Sequence, residues 1–198
     1  DAGVKNVVYA SSSSVYGDTP TLPKVETMPT NPKSPYAVSK LVGEHYMRVF
    51  NELYGIKTAS LRYFNVFGPR QNPDSEYAAV IPKFFKAALS GTPLKIYGDG
   101  SQTRDFSYVD DVVRANKMAA GKTGVYNIAG GKQISIQELA EMIIELTDSK
   151  SKIIHLDEGK GDVKHSLADI SKAKNELGWK PAYKLEEGLK EYLDSIRT

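Results

Sequence analysis

Short apolar segments rich in valine and isoleucine alternate with amphipathic helical segments along most of the chain. The strand candidates are residues 4–10, 56–66, 94–97, 125–129 and 153–156, and the helix candidates are 36–54, 77–89, 109–120, 135–147, 170–177 and 185–196. Strands that alternate with helices are joined by crossover connections, which favours a parallel sheet. The sequence therefore predicts an α/β fold, with the later residues forming an appendage to the sheet.

The charged and sulfur-containing residues exclude several classes of protein. With 26 basic and 24 acidic residues the net charge is only +2, so no nucleic-acid or membrane partner is indicated. The absence of cysteine excludes disulfides, thiolate metal sites and a cysteine nucleophile, and the three histidines are not at ligand spacing. We therefore predict no metal site and, without a signal peptide or membrane-spanning run, a cytoplasmic protein.

Tyr36 and Lys40 form a Tyr-x-x-x-Lys pair near the start of the predicted helix 36–54. Residues four apart share one face of a helix, and a lysine ammonium beside a phenol favours the phenolate. Such a tyrosine can act as a general base toward a substrate hydroxyl. By spacing alone, an ordinary pair of helix-surface residues remains the favoured interpretation.

Four serines, Ser11 to Ser14, follow the first predicted strand. Ligands of parallel α/β sheets bind beyond the carboxyl ends of the strands. Ser12 at such an end could bond a substrate hydroxyl and share its proton with Tyr36. The alternative is a loop start whose hydroxyls satisfy their own backbone.

Several further motifs keep the order and spacing of one known family. They are Ala10 to Gly17, Ser34 to Lys40, Leu61 to Arg70, Arg104 to Asp111, Tyr126 to Gly131 and Gly161–Asp162. Together they resemble the extended short-chain dehydrogenases/reductases, and most closely the UDP-glucose and UDP-N-acetylglucosamine 4-epimerases. The resemblance implies a partial NAD-binding Rossmann domain with a parallel sheet, plus a smaller α/β substrate domain.

The resemblance also implies a division of the chain. Residues 1–66 and 107–129 would be the C-terminal half of the Rossmann domain, and residues 67–106 and 130–198 the UDP-sugar substrate domain. No glycine-rich phosphate-binding turn occurs in the sequence, and the family places this turn in its first strands. We therefore expect the N-terminal part of the NAD-binding domain to be missing and the chain to be inactive alone. A homodimer through the helix that contains Tyr36 is also implied.

Catalytic and cofactor roles follow from the resemblance residue by residue. Tyr36 would be the base, Lys40 would tune it and hold the nicotinamide ribose, and Ser12 would contact the substrate hydroxyl. Ser13 is a near rival of Ser12. Tyr63 and Phe64 would line the nicotinamide side of the NAD site.

Substrate contacts are implied in the same way. Asn65 would contact the diphosphate, Arg104 would grip a phosphate oxygen, and Asp162 would contact the ribose. The residues expected around the uridine are Ala79, Val80, Lys83, Lys95 and Tyr97. Other interpretations stay open: Asn65 as a turn residue, Arg104 paired with Asp105 on the surface, and Tyr97 as core. The family's arginine three residues before Asp162 is replaced by Gly159, and Lys160 could act in its place as a point charge.

The implied reaction is NAD-dependent 4-epimerisation of UDP-glucose and UDP-galactose through a 4-keto intermediate. Related dehydratases carry acidic residues where this chain has Ser13 and Ser14, which cannot handle protons in an elimination. Ser166 is small where a bulky aromatic would exclude an acetamido group, so UDP-GlcNAc and UDP-GalNAc are also expected substrates. The alternatives are a non-catalytic nucleotide-sugar-binding or scaffold protein, or another member of the family such as a dehydratase.

Overall fold

A computed structural model describes residues 2–73, 79–157 and 164–197. Nine short strands and five α-helices occur in these ranges. The strands are β1 Asn6–Ser12, β2 Lys57–Tyr63, β3 Val66–Phe67, β4 Leu94–Tyr97, β5 Thr103–Asp105, β6 Ser107–Tyr108, β7 Gly124–Ile128, β8 Gln133–Ser135 and β9 Ile153–Leu156. The helices are α1 Pro35–Tyr54, α2 Val80–Leu89, α3 Val109–Ala119, α4 Ile136–Thr147 and α5 Leu185–Arg197.

The central sheet is parallel and has the order β1-β2-β7. Ser12 lies level with Tyr63, and Tyr63 lies level with Ile128, so the carboxyl ends of the three strands share one edge. The predicted α/β fold with a parallel sheet is confirmed. Polar side chains that follow these strands are thereby brought to one place.

Helix α1 packs across β1 and β2 through polar groups. Thr58 and Arg62 alternate along β2 with apolar residues and point toward α1, as their hydrogen bonds to Met47 O and Glu44 show. The Arg62 guanidinium and the Glu44 carboxylate form an ion pair at 2.7 Å with about 5% of each side chain exposed. An ion pair therefore stands at the centre of this packing layer.

The apolar stripe of α1 faces away from the sheet. Large side chains along it are between 43% and 69% exposed, namely Val38, Val42, Tyr46, Phe50 and Leu53. An amphipathic helix normally buries its apolar stripe, and exposed patches of this kind mark interaction surfaces. The homodimer expected through this helix stays a prediction.

The opposite face of the sheet has an apolar core. Leu61 of β2 and Ile128 of β7 pack there against α3, and residues 173–179 close the layer with the fully buried Trp179. The indole Nε1 donates to Asp111 O at 2.9 Å. Asp111 also accepts from Ala182 N at 2.8 Å, so the first turn of α3 anchors the C-terminal segment.

A second core holds the remaining elements together. Helices α2 and α4 pack on β4, α5 packs against α4 and β6, and β4 pairs in parallel with β9. Ser135 caps α4 with Glu138 in a reciprocal capping box, as the sequence pattern predicts. The division of the chain at residues 66, 107 and 129 stays a prediction.

The structure corrects the predicted strand 56–66. Its ladder with β1 ends at Tyr63, and Val66 pairs instead with Ser107 of β6. Asn65 between them has φ of 35°, a left-handed conformation that interrupts an extended strand. The short pair β5–β8 was absent from the prediction, and the predicted start of α2 at Tyr77 lies outside the described residues.

Among the described helices, none combines the length and the apolar character that crossing a membrane requires.

Candidate active site

The turn after β1 directs hydroxyl groups toward the carboxyl edge of the sheet. Ser12 caps a short 3-10 helix of residues 13–16, and its Oγ accepts from Ser14 N at 3.2 Å and from Ser14 Oγ at 2.9 Å. Ser12 therefore satisfies the backbone of its own loop, as one interpretation expects. Its hydroxyl proton is not used in these bonds, so a contact to a substrate hydroxyl also fits. The Ser11 hydroxyl points the other way, toward Glu44 Oε1.

Tyr36 and Lys40 lie in the first turns of α1, which starts at the end of the same sheet. Ser34 caps this helix by accepting from Ala37 N at 3.1 Å, and Pro35 occupies its first position. The Tyr36 side chain is largely exposed, while the Lys40 ammonium donates to Ala10 O at 2.9 Å. That ammonium lies 5.6 Å from the centre of the Tyr36 ring, so the helical pair faces β1.

One cleft of about 450 Å³ gathers most of the predicted catalytic and cofactor residues. We name it the sugar cleft after the ligand that the sequence predicts for it. It is lined by Ser11, Ser12, Ser13, Ser14, Tyr16, Gly17, Lys24, Tyr36, Tyr63, Phe64, Asn65, Val66, Arg104, His165 and Ser166. Its size suits a small ligand. Residues from both ends of the chain, such as Ser12 and Ser166, therefore share one continuous space.

A second groove adjoins the sugar cleft and contains most of the residues predicted around the uridine. Asn65 and Arg104 line both spaces, and Ala79, Val80, Lys95 and Tyr97 line the groove but not the cleft. A third hollow holds Lys83 and shares Val80, Lys95 and Tyr97 with this groove. Tyr97 is 58% exposed, which excludes its interpretation as a core residue.

Asn65 and Arg104 are held at the junction of the two spaces. The Asn65 amide donates to Asp105 O at 2.8 Å, and the Arg104 Nη1 donates to Thr103 O at 2.9 Å. Asn65 is thus a turn residue by its positive φ and also a lining residue of both spaces. A guanidinium at this junction can present a planar pair of donors to a phosphate.

Tyr63 contributes its ring rather than its hydroxyl to the sugar cleft. Its hydroxyl donates to Asn116 Oδ1 on α3 at 2.9 Å, and burial raises its pKa above the usual value for a tyrosine. The neighbouring Phe64 is fully buried against Tyr16. Tyr36 is therefore the tyrosine of this group with an accessible hydroxyl.

Asp105 fixes one wall of the sugar cleft from behind. Its fully buried carboxylate accepts from Gly131 N and from Ala168 N, each at 3.1 Å. Burial raises the pKa of Asp105 to about 7, and the hydrogen bonds from the backbone amides act in the opposite direction. Through these bonds the segment that carries His165 and Ser166 is tied to β5.

The predictions gave no site role to Tyr16, Lys24 or His165, which also line the sugar cleft. Lys24 and Tyr16 lie in the turn-rich region after β1, and His165 follows the part of the chain outside the description. Their positions depend on contacts between distant segments, such as the parallel bridge of Lys24 with Ala168, for which the local sequence carries no signal. The predicted ribose contact Asp162 lies outside the described residues, as do Gly159 and Lys160.

The chain is similar to nucleotide-sugar enzymes over nearly its whole length. The model of the GDP-mannose 4,6-dehydratase family matches residues 2–192. A UDP-glucose 4-epimerase of Mycolicibacterium smegmatis is 40% identical over 201 residues, which cover 100% of this chain and 64% of that protein. The chain thus spans slightly less than two thirds of this curated relative.

Two solved structures share the fold. The UDP-N-acetylglucosamine 4-epimerase from Methanobrevibacter ruminantium, in complex with UDP-N-acetylmuramic acid, is 47% identical with a TM-score of 0.94, over 98% of this chain and 63% of its own. The Thermus thermophilus UDP-glucose 4-epimerase in complex with NAD is 35% identical with a TM-score of 0.87, over 96% and 63%. The predicted fold class is confirmed by these similarities. The chain therefore belongs to the GDP-mannose 4,6-dehydratase family of extended short-chain dehydrogenases/reductases.

Proposed function

We propose that this chain carries the substrate-binding and proton-transfer residues of an NAD-dependent UDP-sugar 4-epimerase. The observation that supports this most strongly is that the sugar cleft and the adjoining groove share two lining residues. Ser12 and Tyr36 line the cleft, and Lys95 and Tyr97 line the groove. Asn65 and Arg104 stand between them, where a diphosphate would join a sugar to a uridine.

In the proposed mechanism the sugar 4-hydroxyl lies between Ser12 and Tyr36. Tyr36 takes the hydroxyl proton as general base and returns it after the 4-keto sugar has turned over. Ser12 bonds the same oxygen and keeps it oriented toward the phenol. The Lys40 ammonium lies 5.6 Å from the centre of the phenol ring, so its positive charge stands beside the oxygen that exchanges the proton.

The residues on the open side of α1 and β1 fit a nicotinamide ribose. Tyr36 is 56% exposed there, and the three-donor ammonium of Lys40 has one described acceptor, Ala10 O. We propose that Tyr36, Lys40, Tyr63 and Phe64 hold this end of NAD. When bound, NAD supplies hydride acceptance from the sugar carbon and hydride return to the opposite face.

The serines after Ser12 favour epimerisation over dehydration. Ser13 and Ser14 line the sugar cleft, and Ser14 Oγ donates to Ser12 Oγ at 2.9 Å. Elimination of a sugar hydroxyl needs an acid that can protonate the leaving oxygen. A serine hydroxyl cannot do this near neutral pH, whereas reversible oxidation at one carbon needs no acid beyond the Tyr36 phenol, with NAD as the hydride acceptor.

Calorimetric titration of the 198-residue chain tests the binding part of the proposal. We expect UDP-glucose and UDP to bind in the micromolar range, a free energy of about −8 kcal/mol, because the diphosphate meets the Arg104 guanidinium. Arg104→Gln should weaken both ligands, while Arg48→Gln, at an exposed position of α1 that lines neither the sugar cleft nor the adjoining groove, should change neither. No binding of UDP by the wild-type chain, with or without NAD, would contradict the proposal.

Ser166 is expected to set tolerance toward an acetamido group. Its backbone N donates to Thr103 O at 3.1 Å, which places the small side chain at the wall of the sugar cleft. Ser166→Tyr should lower the affinity for UDP-GlcNAc at least tenfold, about 1.4 kcal/mol, and leave that for UDP-glucose nearly unchanged. Equal weakening of both sugars in the same titration would show that Ser166 has no selective role.

A further inference from the structure

Lys24 places a buried ammonium group in the wall of the sugar cleft. The residue is only 3% exposed, and it lines the cleft together with Ser12, Ser13 and Tyr36. Its Nζ donates to Thr19 O and to Thr19 Oγ1. Both acceptors are neutral, so the positive charge is buried without an ion-pair partner in the described part of the chain.

The carboxylates near Lys24 are committed elsewhere or lie in solvent. Glu26 Oε1 accepts from Asn127 N at 2.8 Å, and Asp169 Oδ1 accepts from Ser171 N at 2.7 Å. Asp18 is exposed and acts on Lys24 only through its field. Burial accordingly lowers the pKa of Lys24, and a buried cation of this kind is costly unless a counter-ion reaches it.

The described lining of the sugar cleft contains basic residues and no aspartate or glutamate. Segment 165–168 forms one wall, with a parallel bridge to Thr103 at His165 and another to Lys24 at Ala168. The three residue steps from His165 to Ala168 span about 10 Å of extended chain. Arg104 and Lys24 therefore mark opposite ends of this wall, and a diphosphate held by Arg104 leaves Lys24 beside the sugar.

We propose that Lys24 makes this cleft selective for UDP-sugars that carry a carboxylate on the sugar. The inference rests on the proposed UDP-sugar function and adds the substrate class. The sugar carboxylate would accept from the third ammonium donor and supply the missing counter-charge. The hydroxyls of Ser13 and Ser14 line the same region and can donate to its second oxygen.

Two matched pairs of ligands locate the carboxylate by calorimetric titration of the 198-residue chain. UDP-glucuronic acid against UDP-glucose tests a carboxylate on C6. UDP-N-acetylmuramic acid against UDP-GlcNAc tests one on a C3 lactyl group. We expect the acidic member of one pair to bind at least tenfold more tightly, about 1.4 kcal/mol. No preference in either pair of the wild-type chain would overturn the inference, whatever the variants do.

Variants of Lys24 then assign the preference to this residue. Lys24→Met should reduce the ratio within the preferred pair to about one while leaving UDP-glucose affinity within about threefold, because only the charge interaction is lost. Lys24→Arg keeps the charge and should keep most of the ratio. Lys117→Met, an exposed lysine of α3, should leave it unchanged.

The outcomes separate this inference from the proposed function. A preference that persists in Lys24→Met, when circular dichroism shows that this variant is folded, overturns the role of Lys24. If Lys24→Met does not fold, loss of the ratio in Lys24→Gln with UDP-glucose binding retained supports the role, and retention of the ratio overturns it. Binding of UDP and UDP-glucose without any acidic preference leaves the proposed function standing. Absence of all binding contradicts both.

Discussion

Tyr36→Phe should lower turnover about 10²–10⁴-fold, the usual contribution of a general acid–base group. The phenol is the group that moves the 4-hydroxyl proton, and phenylalanine keeps the ring but has no proton to exchange. Turnover is measured on this chain fused to the part of the M. smegmatis epimerase that has no counterpart here. Binding of UDP-glucose should change less than about threefold because the ring contacts remain. Such a change is well below the tenfold in affinity that corresponds to about 1.4 kcal/mol.

Tyr54→Phe is the matched control for this substitution. Tyr54 lies in the last turn of the same helix, is 67% exposed and packs on Phe50 rather than on the sugar cleft. Loss of the Tyr54 hydroxyl should leave turnover within about twofold of the wild-type value, since Tyr54 touches no part of the proposed site. Equal rates for the two variants would exclude Tyr36 as the base, and a wild-type fusion without turnover would contradict the proposed function.

The regular elements could be predicted because their signals are local. Ser135 and Glu138 are three residues apart and form the capping box, and Ser34 and Pro35 start α1 by side-chain and ring geometry alone. The β-branched run that forms β1 is likewise a property of neighbouring residues. Such features depend little on the rest of the fold.

The orientation of α1 could not be obtained in this way. Its spacing predicts an apolar stripe, but the stripe does not say whether it meets the chain's own sheet or another surface. The orientation of α1 is set by β2, because Thr58 and Arg62 of this strand face the helix and require polar partners. Glu44 satisfies Arg62, so the helix turns its polar side inward and leaves Val42 and Phe50 exposed.

The residues of the candidate site differ in the same way, because some are recognisable from local spacing and others are placed by distant contacts. Tyr36 and Lys40 are recognisable because four residues bring them to one helical face. Lys24 lies in a proline-rich segment without periodicity, and it is held at the cleft by the bridge to Ala168 and by the bond from Asn127 Nδ2 to Lys24 O. Contacts between segments this far apart along the chain are a product of the whole fold.

Glu44→Gln is expected to destabilise the chain by about 3–5 kcal/mol, because it leaves the Arg62 guanidinium buried without its counter-charge. The pair is at 2.7 Å, and Ser11 Oγ adds a hydrogen bond to the same carboxylate. The Arg62 guanidinium also lies 4.6 Å from the centre of the Tyr16 ring, and Tyr16 OH donates to Asn127 Oδ1 at 2.7 Å. Loss of the pair should therefore also weaken UDP-sugar binding through the displaced turn after β1.

The same helix offers an exposed pair of the same chemistry as a control. Arg48 and Glu52 interact at 2.8 Å with 61% and 54% of their side chains exposed, so Glu52→Gln should cost less than about 0.5 kcal/mol. The double variant Glu44→Leu with Arg62→Met removes both charges and should recover most of the loss, since apolar replacement of a buried pair is often neutral or stabilising. Urea unfolding measures all three free energies. A cost for Glu44→Gln no larger than that for Glu52→Gln would show that water reaches the Arg62 charge, and that docking of α1 depends on its other contacts.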